Sequence, residues 1–83
     1  MVDNREVKKG IYQHFKRNLY EVLGIARDSE TNAEMVVYKA LYNDPEKSIK
    51  HGDWFVRSKA MFLEDKVLDG KSVPRFRFVK EVS

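Results

Sequence analysis

With 83 residues, 42% of them hydrophobic, and no cysteine, the chain is limited to one domain whose core forms without disulfides, thiolate metal sites or cysteine nucleophiles. Sixteen basic and 13 acidic side chains leave a net charge of +3, too little by itself to mark a nucleic-acid binder. No apolar run approaches the roughly 20 residues of a spanning helix, so a soluble cytoplasmic protein without membrane contact is expected. The charge is also patterned: residues 1–20 carry five basic and two acidic side chains, whereas residues 21–34 carry one and four.

Residues 1–9 are polar with few apolar anchors and read as a flexible N-terminal segment; residues 10–83 read as a single β-barrel domain. Ile11 to Phe15 is the first strand expected, and Lys16-Arg17-Asn18 separates it from the next at hairpin spacing. From Leu19 to Ala26, alternation places Leu19, Leu23 and Ile25 on one side and Tyr20, Val22 and Ala26 on the other, with a bulge or bend at Gly24. Residues 34–42 repeat the pattern, with Val36, Tyr38, Ala40 and Tyr42 opposing Met35, Val37 and Leu41. Strands apolar on both faces suit a closed barrel or a sheet covered by a loop. Asn43 to Asp53 reads as a charged loop, and Trp54 to Arg57 as a further strand. Ser58 to Asp65 would hold one helical turn, with Met61, Phe62 and Leu63 packed against the barrel mouth. Asp69-Gly70 is a type I′ turn signal following a short partner at Lys66 to Leu68. The last strand, Arg75 to Val79, would point Phe76 and Phe78 inward and Arg75 and Arg77 outward. The expected fold is mainly β, a small antiparallel barrel of about five strands with one short helical turn.

Three groups of residues carry the functional readings. His14 shares a strand face with Tyr12 and Lys16 and has the pKa range of a general base, but no nucleophile or second base stands near it in a recognisable motif. Arg27-Asp28-Ser29-Glu30-Thr31 is a polar interruption between apolar strands. It closes either an Asx or Ser turn, with Thr31 to Glu34 at capping-box spacing for a helical turn, or a ligand-orienting loop built on Ser29, Glu30 and Thr31. Trp54 and Arg57 would stand at the barrel rim, where Arg57 stacks or binds an anion or else pairs with Glu21 or Glu34. His51, 37 residues from His14, has no His or Cys at ligand spacing, so no metal site and no cofactor are expected.

The strings Tyr12-Gln-His-Phe-Lys, Tyr20-Glu-Val-Leu-Gly-Ile-Ala-Arg-Asp-Ser-Glu-Thr and Glu34-Met-Val-Val-Tyr-Lys-Ala-Leu-Tyr, then Trp54-Phe-Val-Arg, Met61-Phe-Leu-Glu and Pro74-Arg-Phe, resemble the bacterial domain-of-unknown-function 1653 family over roughly residues 11–79. The resemblance implies a small SH3-like barrel with no catalytic residues to carry over. The chain departs from the family's pattern where Arg17 replaces Gly, Asp28 replaces His and Ser58 replaces Pro, and it has extra residues between Asp44 and Asp53.

The leading reading is a module that binds a small polar ligand or a peptide through Tyr12, His14, Ser29, Glu30, Thr31, Trp54 and Arg57, acting as a monomer or weak homodimer. An accessory nucleic-acid-binding domain using Lys16, Arg17, Arg75 and Arg77 is the first alternative. A small enzyme or enzyme subunit using His14 and Glu30 is the second, and a non-enzymatic role is favoured over it.

Overall fold

The computed structural model describes residues 6–82. Seven strands and one short helix follow in chain order: β1 (Gly10–His14), β2 (Leu19–Arg27), β3 (Glu34–Ala40), β4 (Trp54–Ser58), α1 (Lys59–Phe62), β5 (Asp65–Leu68), β6 (Lys71–Pro74) and β7 (Phe76–Lys80). Five of the strands form an antiparallel sheet in the order β4-β3-β2-β1-β7, and β5 and β6 form a separate hairpin. The mainly β character and the helical turn stand as expected. The closed barrel does not: β4 and β7 end the sheet as unjoined edges. The chain leaving α1 turns back on itself at Asp69 and Gly70, whose φ values of 51° and 76° are those of a type I′ turn. That turn pairs Leu68 with Lys71 and commits β5 to β6, so neither strand bridges the sheet edges. No helix among the described residues is long and apolar enough to cross a membrane.

The core lies on one face of the sheet. Tyr12, Val22, Val36, Tyr38, Phe62 and Phe76 are buried together, with Val7, Tyr20, Phe55 and Leu63 packed around them. Phe62 comes from α1, whose start is capped by the Ser58 hydroxyl accepting from the Met61 N–H at 3.2 Å. Its ring stacks on Phe76 at a centroid distance of 4.3 Å, while Tyr12 meets it edge-on at 5.3 Å. Met61, expected as a core plug beside it, is instead 46% exposed.

A bulge resets the β2 alternation. Val22 pairs with Tyr38, but the next pair is Gly24 with Val37, so Leu23 is the extra residue. Paired residues share a face. Ile25, opposite Val36, therefore lies on the side of Tyr20 and Val22 and not with Leu19 and Leu23 as simple alternation requires. The second apolar face is also less covered than a barrel wall would be: Val56, paired with Val37, is 62% exposed and Trp54 is 69% exposed.

The loops carry hydrogen bonds of their own. Between Asn43 and Asp53, Asp44 and Ile49 exchange backbone hydrogen bonds at 2.8 and 2.9 Å around a 3-10 turn at Pro45–Lys47. The expected flexible segment, residues 1–9, falls partly outside the described residues. Within them, Lys8 accepts from the Tyr12 hydroxyl at 2.8 Å and its ammonium stands 5.6 Å from the centre of the Phe78 ring.

Candidate functional site

The β1–β2 connection sets the first wall of the site. His14 N–H donates to Asn18 O at 2.8 Å and Arg17 N–H to His14 O at 2.6 Å, closing a three-residue hairpin loop whose last member, Arg17, is left-handed at φ 82°. This is the position where such loops favour glycine. The loop presents His14, Phe15, Lys16 and Asn18 to a hollow of about 390 Å³. Tyr20 and Tyr42 line it from β2 and from just beyond β3, Lys47 and Ile49 from the 3-10 segment, and Arg57 from β4. Lys66 of β5 and Arg75, between β6 and β7, complete it.

Five of these lining residues are cationic and none is acidic. Arg57, Arg75 and Lys66 have side-chain partners within the protein. Arg57 Nε donates to the Tyr38 hydroxyl at 3.3 Å, and its guanidinium carbon lies 5.9 Å from the centre of the Phe76 ring. Arg75 donates from Nη2 to Glu64 Oε1 at 2.6 Å, and Lys66 Nζ reaches the same oxygen at 3.4 Å. Bonding to Arg75, and then to Lys66, holds the Glu64 carboxyl below its ordinary pKa. One carboxylate thus serves two cations from outside the hollow, and Arg75 Nε remains buried without a hydrogen-bond partner. A buried polar group without a partner is unfavourable and marks a place where a further acceptor belongs.

His14 stands between these charges. Burial, followed by the charges of Arg75, Arg57, Lys16 and Lys47, lowers its pKa from 6.5 to about 4, so the ring is neutral near pH 7. Its Nδ1 accepts from the Lys16 backbone N–H at 3.2 Å, which assigns the ring proton to Nε2. The Tyr20 and Tyr42 hydroxyls are hydrogen-bonded to each other. Burial, with that bond, raises the Tyr20 pKa. The hollow therefore sets neutral hydrogen-bonding groups among cations.

The residues expected at a single site are scattered. His14 and Arg57 line the same hollow. Tyr12 is only 7% exposed, and its hydroxyl is used on Lys8 O. Ser29, Glu30 and Thr31 sit in the β2–β3 turn, where the Glu30 and Thr31 N–H groups donate to Asp28 Oδ1 at 2.8 and 3.2 Å. Those bonds, the Glu30 one first, lower the Asp28 pKa. Thr31 Oγ1 accepts from the Ala33 N–H at 3.2 Å and β3 begins at Glu34, so no helical turn starts there. The turn lies beyond Arg27, about 23 Å of extended strand from Tyr20, so Glu30 does not meet His14. Trp54 pairs with Lys39 on the opposite face of the sheet.

Arg75 was expected to face outward, but it is turned in. It belongs to no strand: its N–H donates to Glu64 O at 3.0 Å and its carbonyl accepts from Phe15 N–H at 2.9 Å, so strand alternation does not govern it. Arg57, Glu21 and Glu34 do not pair as proposed, since Glu21 bonds Lys39 at 3.4 Å and Glu34 bonds Lys59 at 3.1 Å. Tyr20, Tyr42, Lys47 and Lys66 were not expected at the site. They come from four separate parts of the chain, and no local pattern links them.

Fold and site together define a small mainly β domain with an open sheet and a basic, aromatic-walled hollow at one end. The chain belongs to the family described as protein of unknown function (DUF1653), whose pattern matches residues 10–78. It is similar to a crystal structure of a DUF1653 protein from Bordetella bronchiseptica, with 29% sequence identity over 94% of each chain and a TM-score of 0.79. Comparison with curated proteins gives no match.

Proposed function

We propose that the protein is a binding module for a small anion-bearing ligand held in the hollow around His14. The observation that carries this reading is the convergence of Lys16, Lys47, Arg57, Lys66 and Arg75 on one hollow with no carboxylate in its lining and with Arg75 Nε buried and unpartnered. Gathering like charges raises the free energy of the folded chain, and a bound anion offsets that cost while supplying the missing acceptor. Arg57 and Arg75 would hold the anion, His14 Nε2–H would add a neutral donor, and the tyrosine pair would limit the size of what enters. Tyr12, Ser29, Glu30, Thr31 and Trp54 have no part in this ligand set.

The reading is tested by thermal unfolding of the full chain in inorganic phosphate at constant ionic strength. Phosphate should raise the melting temperature in a saturable way, reaching about 2.7 kcal/mol of stabilisation at one hundred times its Kd. Arg57→Gln should weaken the effect at least tenfold. If neither phosphate, sulfate nor a dicarboxylate stabilises the chain beyond the ionic-strength control, the reading is wrong.

A second reading draws on the pairing of β1 with β7, which brings Lys16 and Arg17, just after β1, to the same end of the sheet as Arg75 and Arg77. Single-stranded nucleic acid would then lie along that edge. Its affinity should fall steeply between about 50 and 200 mM salt, and an absence of binding at the lower value excludes it.

A further inference from the structure

The basic hollow has a neighbour of different character. A second hollow of about 450 Å³ shares His14 and Phe15 with it and takes Leu68, Val73 and Pro74 of the β5–β6 hairpin as an apolar wall. Gln13, Arg17 and Arg77 complete the lining. Arg77 Nη2 donates to Gln13 Oε1 at 2.6 Å, and Gln13 Nε2 donates to Arg17 O at 3.3 Å, so this guanidinium is anchored within the protein. An anchored guanidinium plane, the Phe15 ring and a proline are flat surfaces, which suit a planar group better than a flexible chain. Lys16 Nζ stands 5.9 Å from the centre of the Phe15 ring, so positive charge reaches the boundary between the two hollows. Both volumes lie within the roughly 300 to 1,000 Å³ of small-molecule sites.

We infer that the two hollows hold two ends of one ligand, a phosphomonoester that also carries a flat aromatic ring system, as nucleoside monophosphates do. This rests on the anion-binding reading and adds the second half of the ligand. The phosphate lies with Arg57, Arg75 and Lys16, where five cations against the single Glu64 carboxylate favour a dianion over a monocarboxylate. The ring lies between Phe15 and the Leu68, Val73 and Pro74 wall. Stacking of a base on an aromatic side chain contributes roughly ten- to a hundredfold in affinity.

The test is calorimetric titration of the full chain with adenosine 5′-monophosphate and with inorganic phosphate at one ionic strength. The nucleotide should bind at least tenfold more tightly than phosphate. Leu68→Asp, at a position 41% exposed on the hairpin, should remove that advantage while leaving phosphate affinity within twofold. Val73→Ala, on the wall of the second hollow alone, provides a second variant with the same expected split. Equal affinities for nucleotide and phosphate would overturn the two-part ligand and leave the anion reading intact. Nucleotide affinity unchanged in both variants would overturn the placement of the ring. Binding of neither probe would remove both readings, and a single-stranded oligonucleotide binding far more tightly than the mononucleotide would replace this inference with the nucleic-acid one.

Discussion

Replacing His14 with Gln should flatten the loss of stability that the wild-type chain suffers as the pH falls from about 6.5 to about 4. Burial and the neighbouring cations lower the pKa of this ring from 6.5 to about 4 in the folded chain. An unfolded chain carries an unshifted imidazole, so across that interval the unfolded state binds more protons than the native one. Stability therefore rises with pH through the window: the contribution is complete above about 6.5 and is lost as the pH falls to about 4. Fully expressed, a pKa lowering of this size corresponds to about 3.4 kcal/mol. The ring is only partly buried, and solvent screening reduces the expected contribution to about 1–2 kcal/mol. Urea midpoints of wild type and His14→Gln at about pH 4 and pH 7 measure it, because the difference between the two proteins should shrink at the acid end. Following the His14 ring protons by NMR gives the pKa directly. Adding phosphate should raise that pKa, because an anion offsets the charges of Arg75, Arg57, Lys16 and Lys47. A free-protein pKa at or above 6.5 would refute both the desolvation and the positive field assigned to the hollow.

Arg17→Gly should stabilise the fold by about 0.5–1 kcal/mol, since it relieves a side chain held at φ 82° in the β1–β2 loop; chemical denaturation would show it as a higher midpoint at unchanged slope. The gain would be largest if the entropy of glycine in the unfolded chain costs little, and a lower midpoint would mean that this entropy dominates. Phe62→Ala should cost about 3–5 kcal/mol, because the ring is 1% exposed and stacks on Phe76; a loss below about 1 kcal/mol in the same assay would contradict its role as the centre of the core.

What could be read along the chain was whatever depends on neighbours in sequence. Period-two alternation located β1 to β4 and β7 within a few residues, Asp69-Gly70 announced its turn, and Asp28 closed its own loop through hydrogen bonds to residues two and three positions on. Alternation failed where the backbone stops alternating. The bulge at Leu23 moved Ile25 to the other face, and the break between Pro74 and Phe76 freed Arg75 to turn inward. The departure from the family's usual glycine at Arg17 was visible in the sequence, but its meaning required the positive φ.

Sequence by itself settled the family, the mainly β class and the Asp69-Gly70 turn, because each follows from residue type and local spacing. Tertiary structure alone decided that the sheet stays open and that the cations gather at one end. The hydrogen bonds that commit β5 to β6 leave β4 and β7 unjoined. The convergence of Lys16, Lys47, Arg57, Lys66 and Arg75 arises from long-range packing of separate segments, and only that packing gives His14 an electropositive, partly desolvated setting. A net charge of +3 does not reveal such a field, because acidic side chains elsewhere on the surface cancel it in the sum but not at the hollow.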